Sequence, residues 1–104
     1  MFAVINYLHL SKPVDEFKAP IEQEGLLPLL SSLPGFRNFY FVRVSEDRGV
    51  VIILWDSAAE AANGANEIGP TWFHQHIAPH LASEQQRSVG EVIVQHEGNQ
   101  SRLR

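Results

Sequence analysis

The densest group of side chains that could do chemistry lies between positions 72 and 80. It consists of two aromatic residues and three histidines, Trp72, Phe73, His74, His76 and His80. Histidine changes its protonation state near neutral pH, so His76, and as a second choice His74, could take a proton from a substrate. On a helix, His76 and His80 would share one face with Trp72, a spacing that can bind a metal ion. No third ligand accompanies them and Pro79 disturbs the helix, so we expect no metal site.

A second candidate, Asn6, interrupts the apolar face of a predicted strand. Its apolar neighbours on that face are Phe2, Val4, Leu8 and Leu10. A buried amide needs hydrogen-bond partners, because leaving it without them destabilises the fold. If this face points toward the helices, Asn6 could hold a substrate carbonyl or a bound oxygen species. Alternatively, it bonds to neighbouring backbone or to water.

The strands that must position these residues are predicted from their β-branched and aromatic content. They cover residues 2–10, 36–44, 50–55 and 87–96. Two helical regions separate them, which gives the order β-α-β-β-α-β. This order is typical of a ferredoxin-like α+β fold, in which one sheet carries both helices on the same face.

Prolines and glycines shape the two helical regions. Pro20 and Pro28 divide the first region, 14–33, because proline removes a backbone hydrogen bond within a helix. The second region begins after Asp56 and Ser57, and Gly64 in its middle weakens it. A further helix is predicted over 69–81.

The predicted strands are apolar on both faces, although helices cover only one. A large exposed apolar face is unusual on a monomer, so we expect a second copy of the chain to cover it about a two-fold axis. Trp55 ends the third strand, where it is either a packing anchor or part of a ligand-binding wall.

Composition argues against several functions. The net charge is -4 and the Lys and Arg residues form no basic stripe, so we expect no nucleic-acid partner. The lack of cysteine rules out disulfides and cysteine-ligated metal centres. The longest apolar run, 50–55, is far shorter than the roughly 20 residues of a membrane span, and residues 1–10 lack a signal-peptide pattern. We therefore expect a cytoplasmic protein without a membrane partner.

Several segments resemble the antibiotic biosynthesis monooxygenase-like family of dimeric α/β-barrels. They are Leu33-Pro34-Gly35-Phe36, the strand FRNFYFVRV, and the strand VVIILW with the following DSAAEA. The resemblance extends over about residues 2–96 and implies a domain over 1–97 with a polar tail over 98–104. It also implies a homodimer, in which two four-stranded sheets close a shared barrel.

The resemblance implies three alternative functions. The first is oxygenation of a small aromatic or quinone-like compound without metal or cofactor. There His76 or His74 would be the base, Asn6 would stabilise developing negative charge, and an aromatic wall would hold the substrate. That wall would consist of Trp72, Phe73 and Trp55.

The second alternative is haem degradation, in which His76 would ligate the iron with Asn6 nearby. Relatives of this kind also use a tryptophan in the second helical region, where this chain has Ala65 and Asn66 instead. The third is a non-catalytic module that binds a small molecule in the same pocket or regulates through the dimer surface.

Overall fold

Residues 1–98 are described by a computed structural model, and they form one antiparallel sheet with a helical layer on one side. The strands are β1 (Phe2–His9), β2 (Phe36–Arg43), β3 (Arg48–Trp55) and β4 (Gln86–Glu91), in the spatial order β2-β3-β1-β4. This confirms the predicted ferredoxin-like order and fold class.

The first helical region is divided, as predicted, but a glycine marks the break. A 3₁₀ turn (Val14–Phe17) leads into α1 (Lys18–Gln23), and α2 (Leu26–Ser32) follows Gly25, whose φ is 95°. Pro20 and Pro28 each occupy the third position of a helix. The first N–H groups of a helix have no intrahelical acceptor, so proline is tolerated there.

The second helical region is continuous where the sequence predicted weakness. Helix α3 (Ala58–Ile68) begins at Ser57, whose Oγ accepts a hydrogen bond from the Glu60 N–H at 3.3 Å. Gly64 is buried, and a Cβ there would overlap the indole ring of Trp55. Glycine is therefore required at this point because the ring packs directly against the helix backbone.

The predicted helix over 69–81 changes its type twice. A π-helical turn (Gly69–Phe73) continues directly from α3, followed by the short α4 (His74–His76) and a 3₁₀ turn (Ala78–His80). The chain therefore does not restart a regular helix at Gly69, as the sequence suggested. The π-helical turn instead adds a residue to one turn and changes the direction of the side chains that follow.

The last strand is shorter than predicted. It ends at Glu91, which pairs with Phe2 at the start of β1, and one more hydrogen bond joins Val92 N to Met1 O at 2.8 Å. Because β1 offers no further residue to pair with, residues 93–98 form no strand, and Ile93 and Val94 are 87% and 81% exposed. Of the predicted tail, 98–104, all but Gly98 lies outside the described residues.

The two faces of the sheet have different surroundings. Alternate residues of β1 and β3, such as Val4, Leu8 and Ile53, are buried against the helices. The intervening residues point to the other face, where Tyr7 and Tyr40 remain 46% and 49% exposed. The core therefore lies between sheet and helices, which is also where the candidate site is found.

Candidate functional site

An open cavity of about 790 Å³ lies between the sheet and the helical layer. Its walls are mainly aliphatic and aromatic. The sheet contributes Val4, Leu8, Phe39, Phe41, Val51 and Ile53, and the helical layer contributes Ile21, Leu26, Ile68, Trp72, Phe73 and Ile77. A concave apolar site with a few polar groups is the usual form of a small-molecule pocket.

Three polar side chains line this cavity: Asn6, Gln85 and Arg87. Asn6 on β1 stands directly opposite Arg87 on β4 in the antiparallel register, so both side chains point to the helix side of the sheet. Gln85 lies two residues before Arg87 and therefore on the same side of the chain. The polar groups are thus gathered along one wall, and the structure confirms the helix-facing orientation considered for Asn6.

Gln85 supplies an acceptor without a donor. Its Oε1 is buried, and no group within residues 1–98 donates a hydrogen bond to it. A buried polar atom in this condition destabilises the protein unless a water molecule or ligand satisfies it. Arg87 and Asn6 provide donors beside it, so the wall can bind a ligand that carries both oxygen acceptors and a hydroxyl group.

The predicted aromatic wall is assembled in the cavity, with Trp55, Trp72 and Phe73 all among its lining residues. Trp55 is also the packing anchor considered from the sequence, since it is 1% exposed and its ring meets Phe36 edge-on at 5.8 Å. The Trp72 Nε1–H donates to the Glu24 carbonyl at 2.9 Å, which joins the π-helical turn to the end of α1. The wall is therefore held by contacts outside the cavity.

The predicted histidines do not lie on the cavity wall. His76 is half-buried and stacks on Trp72, with ring centroids 4.7 Å apart, whereas His74 is exposed. His80 meets Phe17 edge-on at 5.7 Å instead of sharing a face with His76. The change from α-helix to 3₁₀ turn after His76 accounts for this separation. Within residues 1–98, no three His, Cys, Asp or Glu residues form a cluster that could hold a metal ion.

The sequence reading missed Gln85 and Arg87. Nothing in the spacing of β4 alone distinguishes a cavity-facing arginine from an exposed one. The decisive information is the register that sets Arg87 opposite Asn6. The alternation of Gln85 and Arg87 just before the apolar part of β4 was the one available signal.

A separate polar cluster lies at the other end of β1. His9 Nε2 is 3.2 Å from Asp47 Oδ2, and His9 Nδ1 is 3.4 Å from Ser83 Oγ. Backbone hydrogen bonds from Leu10 N to Asp47 O and from Ala82 N to His9 O join the same segments. Burial acts to raise the pKa of Asp47, but the hydrogen bond and charge of His9 outweigh it and hold that pKa below its ordinary value. This cluster connects three loops and does not reach the cavity.

Comparison with solved structures gives the fold a name. The chain has the fold of antibiotic biosynthesis monooxygenase-like proteins. SnoaB from Streptomyces nogalater, a cofactor-independent oxygenase, is 12% identical with a TM-score of 0.72, over 90% of this chain and 94% of SnoaB. The monooxygenase ActVA-Orf6 of Streptomyces coelicolor, solved with nanaomycin D, is 12% identical with a TM-score of 0.76, over 94% and 92% of the two chains.

A haem-type ligand occurs in another protein of this fold. MhuD, solved with two manganese protoporphyrin IX molecules per active site, is 21% identical with a TM-score of 0.63, over 94% of this chain and 100% of MhuD. No protein-family model matches this sequence, and no curated protein matches it either. At these identities the likeness concerns the fold, and the site must be argued from its own residues.

Helix length gives one further observation. Among residues 1–98, no helix is both long and apolar enough to cross a membrane.

Proposed function

We propose that this protein is a cofactor-independent monooxygenase that oxidises a small aromatic or quinone-like compound in the cavity between sheet and helices. The observation that carries this proposal is the convergence of Asn6, Gln85 and Arg87 on one wall of a cavity otherwise lined by apolar and aromatic groups. SnoaB and ActVA-Orf6, which share the fold, support it because their activities are of this kind.

The aromatic body of the substrate would pack against Trp72, Phe73 and Trp55, and its oxygen substituents would meet the polar wall. A suitable reacting group is a methylene flanked by aromatic rings and activated by a carbonyl. Its oxidation is balanced by one molecule of oxygen, since CH₂ + O₂ gives C=O + H₂O. The substrate supplies all the electrons, so the protein needs to orient it, exclude water and stabilise negative charge.

Asn6 would stabilise the negative charge that develops on the substrate or on the peroxide formed from it. Its amide is on the cavity wall, and Arg87 stands beside it. The predicted role of base for His76 or His74 has less support, because neither residue lines the cavity.

A second copy of the chain would cover the open face of the sheet. This face presents Ile5, Tyr7, Tyr40, Val42 and Ile52, and Val42 is 42% exposed. Pairing two such faces about a two-fold axis would bury both apolar surfaces at once. The expected product is a homodimer, and a cytoplasmic location stays a prediction.

Haem does not fit the cavity described here. Iron in a haem needs an axial ligand such as histidine, cysteine, methionine or tyrosine, and no residue of these types lines the cavity. His76, the ligand predicted for this alternative, stacks on Trp72 outside it. A haem titration followed through the Soret band tests this directly, and a band that disappears in His76→Ala would restore the alternative.

Oxygen uptake tests the proposed function. The metal-free protein, with chelator present, is mixed with 1,8-dihydroxy-9-anthrone in an oxygen electrode, and spontaneous oxidation is subtracted. We expect one oxygen consumed per anthrone, with one atom of isotopically labelled oxygen in the new ketone. Asn6→Leu should slow the reaction, whereas Asn38→Leu, at an exposed position of β2, should not. Tight binding without any uptake would instead favour the non-catalytic binding module.

A further inference from the structure

The lining of the cavity contains no group that could act as a base near neutral pH. Its residues are aliphatic, aromatic or glycine, apart from Asn6, Gln85 and Arg87. Asn and Gln amides do not titrate, and an arginine guanidinium stays protonated in proteins. An activated substrate anion therefore has to arise in some way other than proton transfer to the cavity wall.

Arg87 differs from the other arginines of the sheet in having no acidic partner. Arg37 pairs with Asp56 at 3.1 Å, and Arg43 pairs with Asp15 at 2.8 Å. No carboxylate of residues 1–98 lies within ion-pair distance of Arg87. Its positive charge is thus available to a ligand.

The surroundings of Arg87 contain no other charged group that faces it within the cavity. Asn6 stands opposite on β1, and Gln85 and Val89 are its same-side neighbours on β4. The helical layer presents Phe73 and other uncharged residues to the cavity. Glu84, the nearest acidic residue in sequence, lines a separate hollow beside His9.

Arg87 is exposed overall although it lines the cavity, so it stands at the open edge. A ligand could therefore insert its apolar rings and keep one ionised oxygen at the mouth. Burying an unpaired anion deep in an apolar site would be costly, and this placement avoids that cost. A neighbouring hydroxyl of the ligand could donate to the unsatisfied Oε1 of Gln85.

From this arrangement we infer that the cavity selects aromatic compounds already ionised at an acidic enol or phenol, which Arg87 and Asn6 bind as the anion without a protein base. The proton goes to bulk water when the compound ionises. The oxidation step rests on the proposed function and is balanced as CH⁻ + O₂ giving C=O + OH⁻, with the hydroxide protonated by water. Anion selection is independent of that step.

Binding can be tested with two naphthoquinones that differ in one group. 2-Hydroxy-1,4-naphthoquinone ionises readily, whereas 2-methoxy-1,4-naphthoquinone cannot. Both tryptophans of the chain line the cavity, so quenching of their fluorescence reports binding. A charge-assisted hydrogen bond predicts that the hydroxy compound binds about 10- to 100-fold more tightly. Below the pKa of that compound its affinity should fall to that of the methoxy compound.

Variants assign the effect to Arg87. Arg87→Gln should remove the preference for the anion, and Arg87→Lys should keep part of it. Arg48→Gln removes one positive charge outside the cavity and should leave the preference intact. Equal binding of the two naphthoquinones by the wild type, or an unchanged preference in Arg87→Gln, would overturn the inference.

The oxidation step has its own test. With anthrones of different acidity, the pH at which kcat/KM rises should follow the acidity of the substrate, and His74→Ala and His76→Ala should leave that profile unchanged. A profile fixed in pH for all substrates and lost in His76→Ala would overturn the absence of a protein base. Selective binding of the anion with no oxygen uptake would refute the proposed function and leave the anion selection standing.

Discussion

The two faces of the sheet are built by the same four strands, yet the chain completes only one of them. On the helix side, Val4, Leu8 and Ile53 are buried, and the space left over becomes a cavity with a polar wall. On the other side, Tyr7 and Tyr40 remain about half exposed, with apolar neighbours around them.

The difference shows what an apolar residue can signify on such a sheet. Toward the helices, apolar side chains make the core and the walls of a ligand site. Toward the open face, they indicate a surface completed by another molecule, which we propose to be a second copy. Changes on the two faces should therefore affect different properties: ligand binding on one, self-association on the other.

The largest effect is expected on the open face. Ile52→Glu would place a carboxylate in the middle of the proposed dimer interface, where burying an unpaired charge is strongly unfavourable. The dimer dissociation constant should rise by roughly 100-fold or more, as measured by sedimentation velocity, with cavity binding retained in the monomer.

The matched control is Ala62→Glu, which adds the same charge at an exposed position of α3. It should leave the dimer unchanged. A wild-type protein that stays monomeric at high concentration would contradict the proposed role of the open face.

The second effect concerns the packing behind the cavity. Gly64→Ala should lower the free energy of unfolding by about 1–3 kcal/mol, because the new methyl group overlaps the Trp55 ring. Asn63→Ala, at the exposed neighbouring position, should instead raise stability by about 0.5 kcal/mol through helix propensity. Urea unfolding measures both, and a Gly64→Ala protein more stable than wild type would show that Trp55 does not pack as described.

A third, smaller effect separates stability from function on the helix side. Asn6→Leu replaces an amide in an apolar wall, so stability should stay the same or rise by about 1 kcal/mol. The affinity for 2-hydroxy-1,4-naphthoquinone should nevertheless fall about tenfold, since the Asn6 donor is lost. Thermal unfolding and fluorescence titration of the same samples provide the comparison. A loss of stability without a change in affinity would identify Asn6 as a structural residue.

The smallest effect should come from the polar cluster at the end of β1. Because the pKa of Asp47 lies below its ordinary value of 3.8, its ionised form stabilises the fold above that pH. This contribution is lost as pH falls below 3.8 through the folded-state pKa. Asp47→Asn should therefore be less stable than wild type at mildly acidic pH, with the difference shrinking in stronger acid. In a His9→Gln background, the pH dependence of that difference should largely vanish.

The order of elements could be predicted because it depends on local signals. β-branched and aromatic runs marked the strands, and prolines indicated the divided first region. The end of β4 could not be predicted, since it is set by where β1 begins to offer partners. The continuity of α3 depended on the fit between Gly64 and Trp55, two residues distant in sequence.

The site was predictable only in part, for the same reason. Asn6 stood out because a polar residue interrupted an apolar alternation, and the aromatic residues near position 72 were conspicuous. Arg87 gained its place from strand register. The direction of His76 was set by the π-helical turn ahead of it, which regular helical spacing does not anticipate.

The central claim is that the helix-facing cavity, and not the open face, binds the aromatic ligand. Nuclear magnetic resonance of isotope-labelled protein, titrated with 2-hydroxy-1,4-naphthoquinone, tests it most directly. We predict large shifts for the side-chain NH₂ of Asn6, the Arg87 Nε–H and the Trp72 indole N–H, with Tyr7 and Tyr40 unaffected. Shifts confined to Tyr7, Tyr40 and their neighbours on the open face would contradict the account.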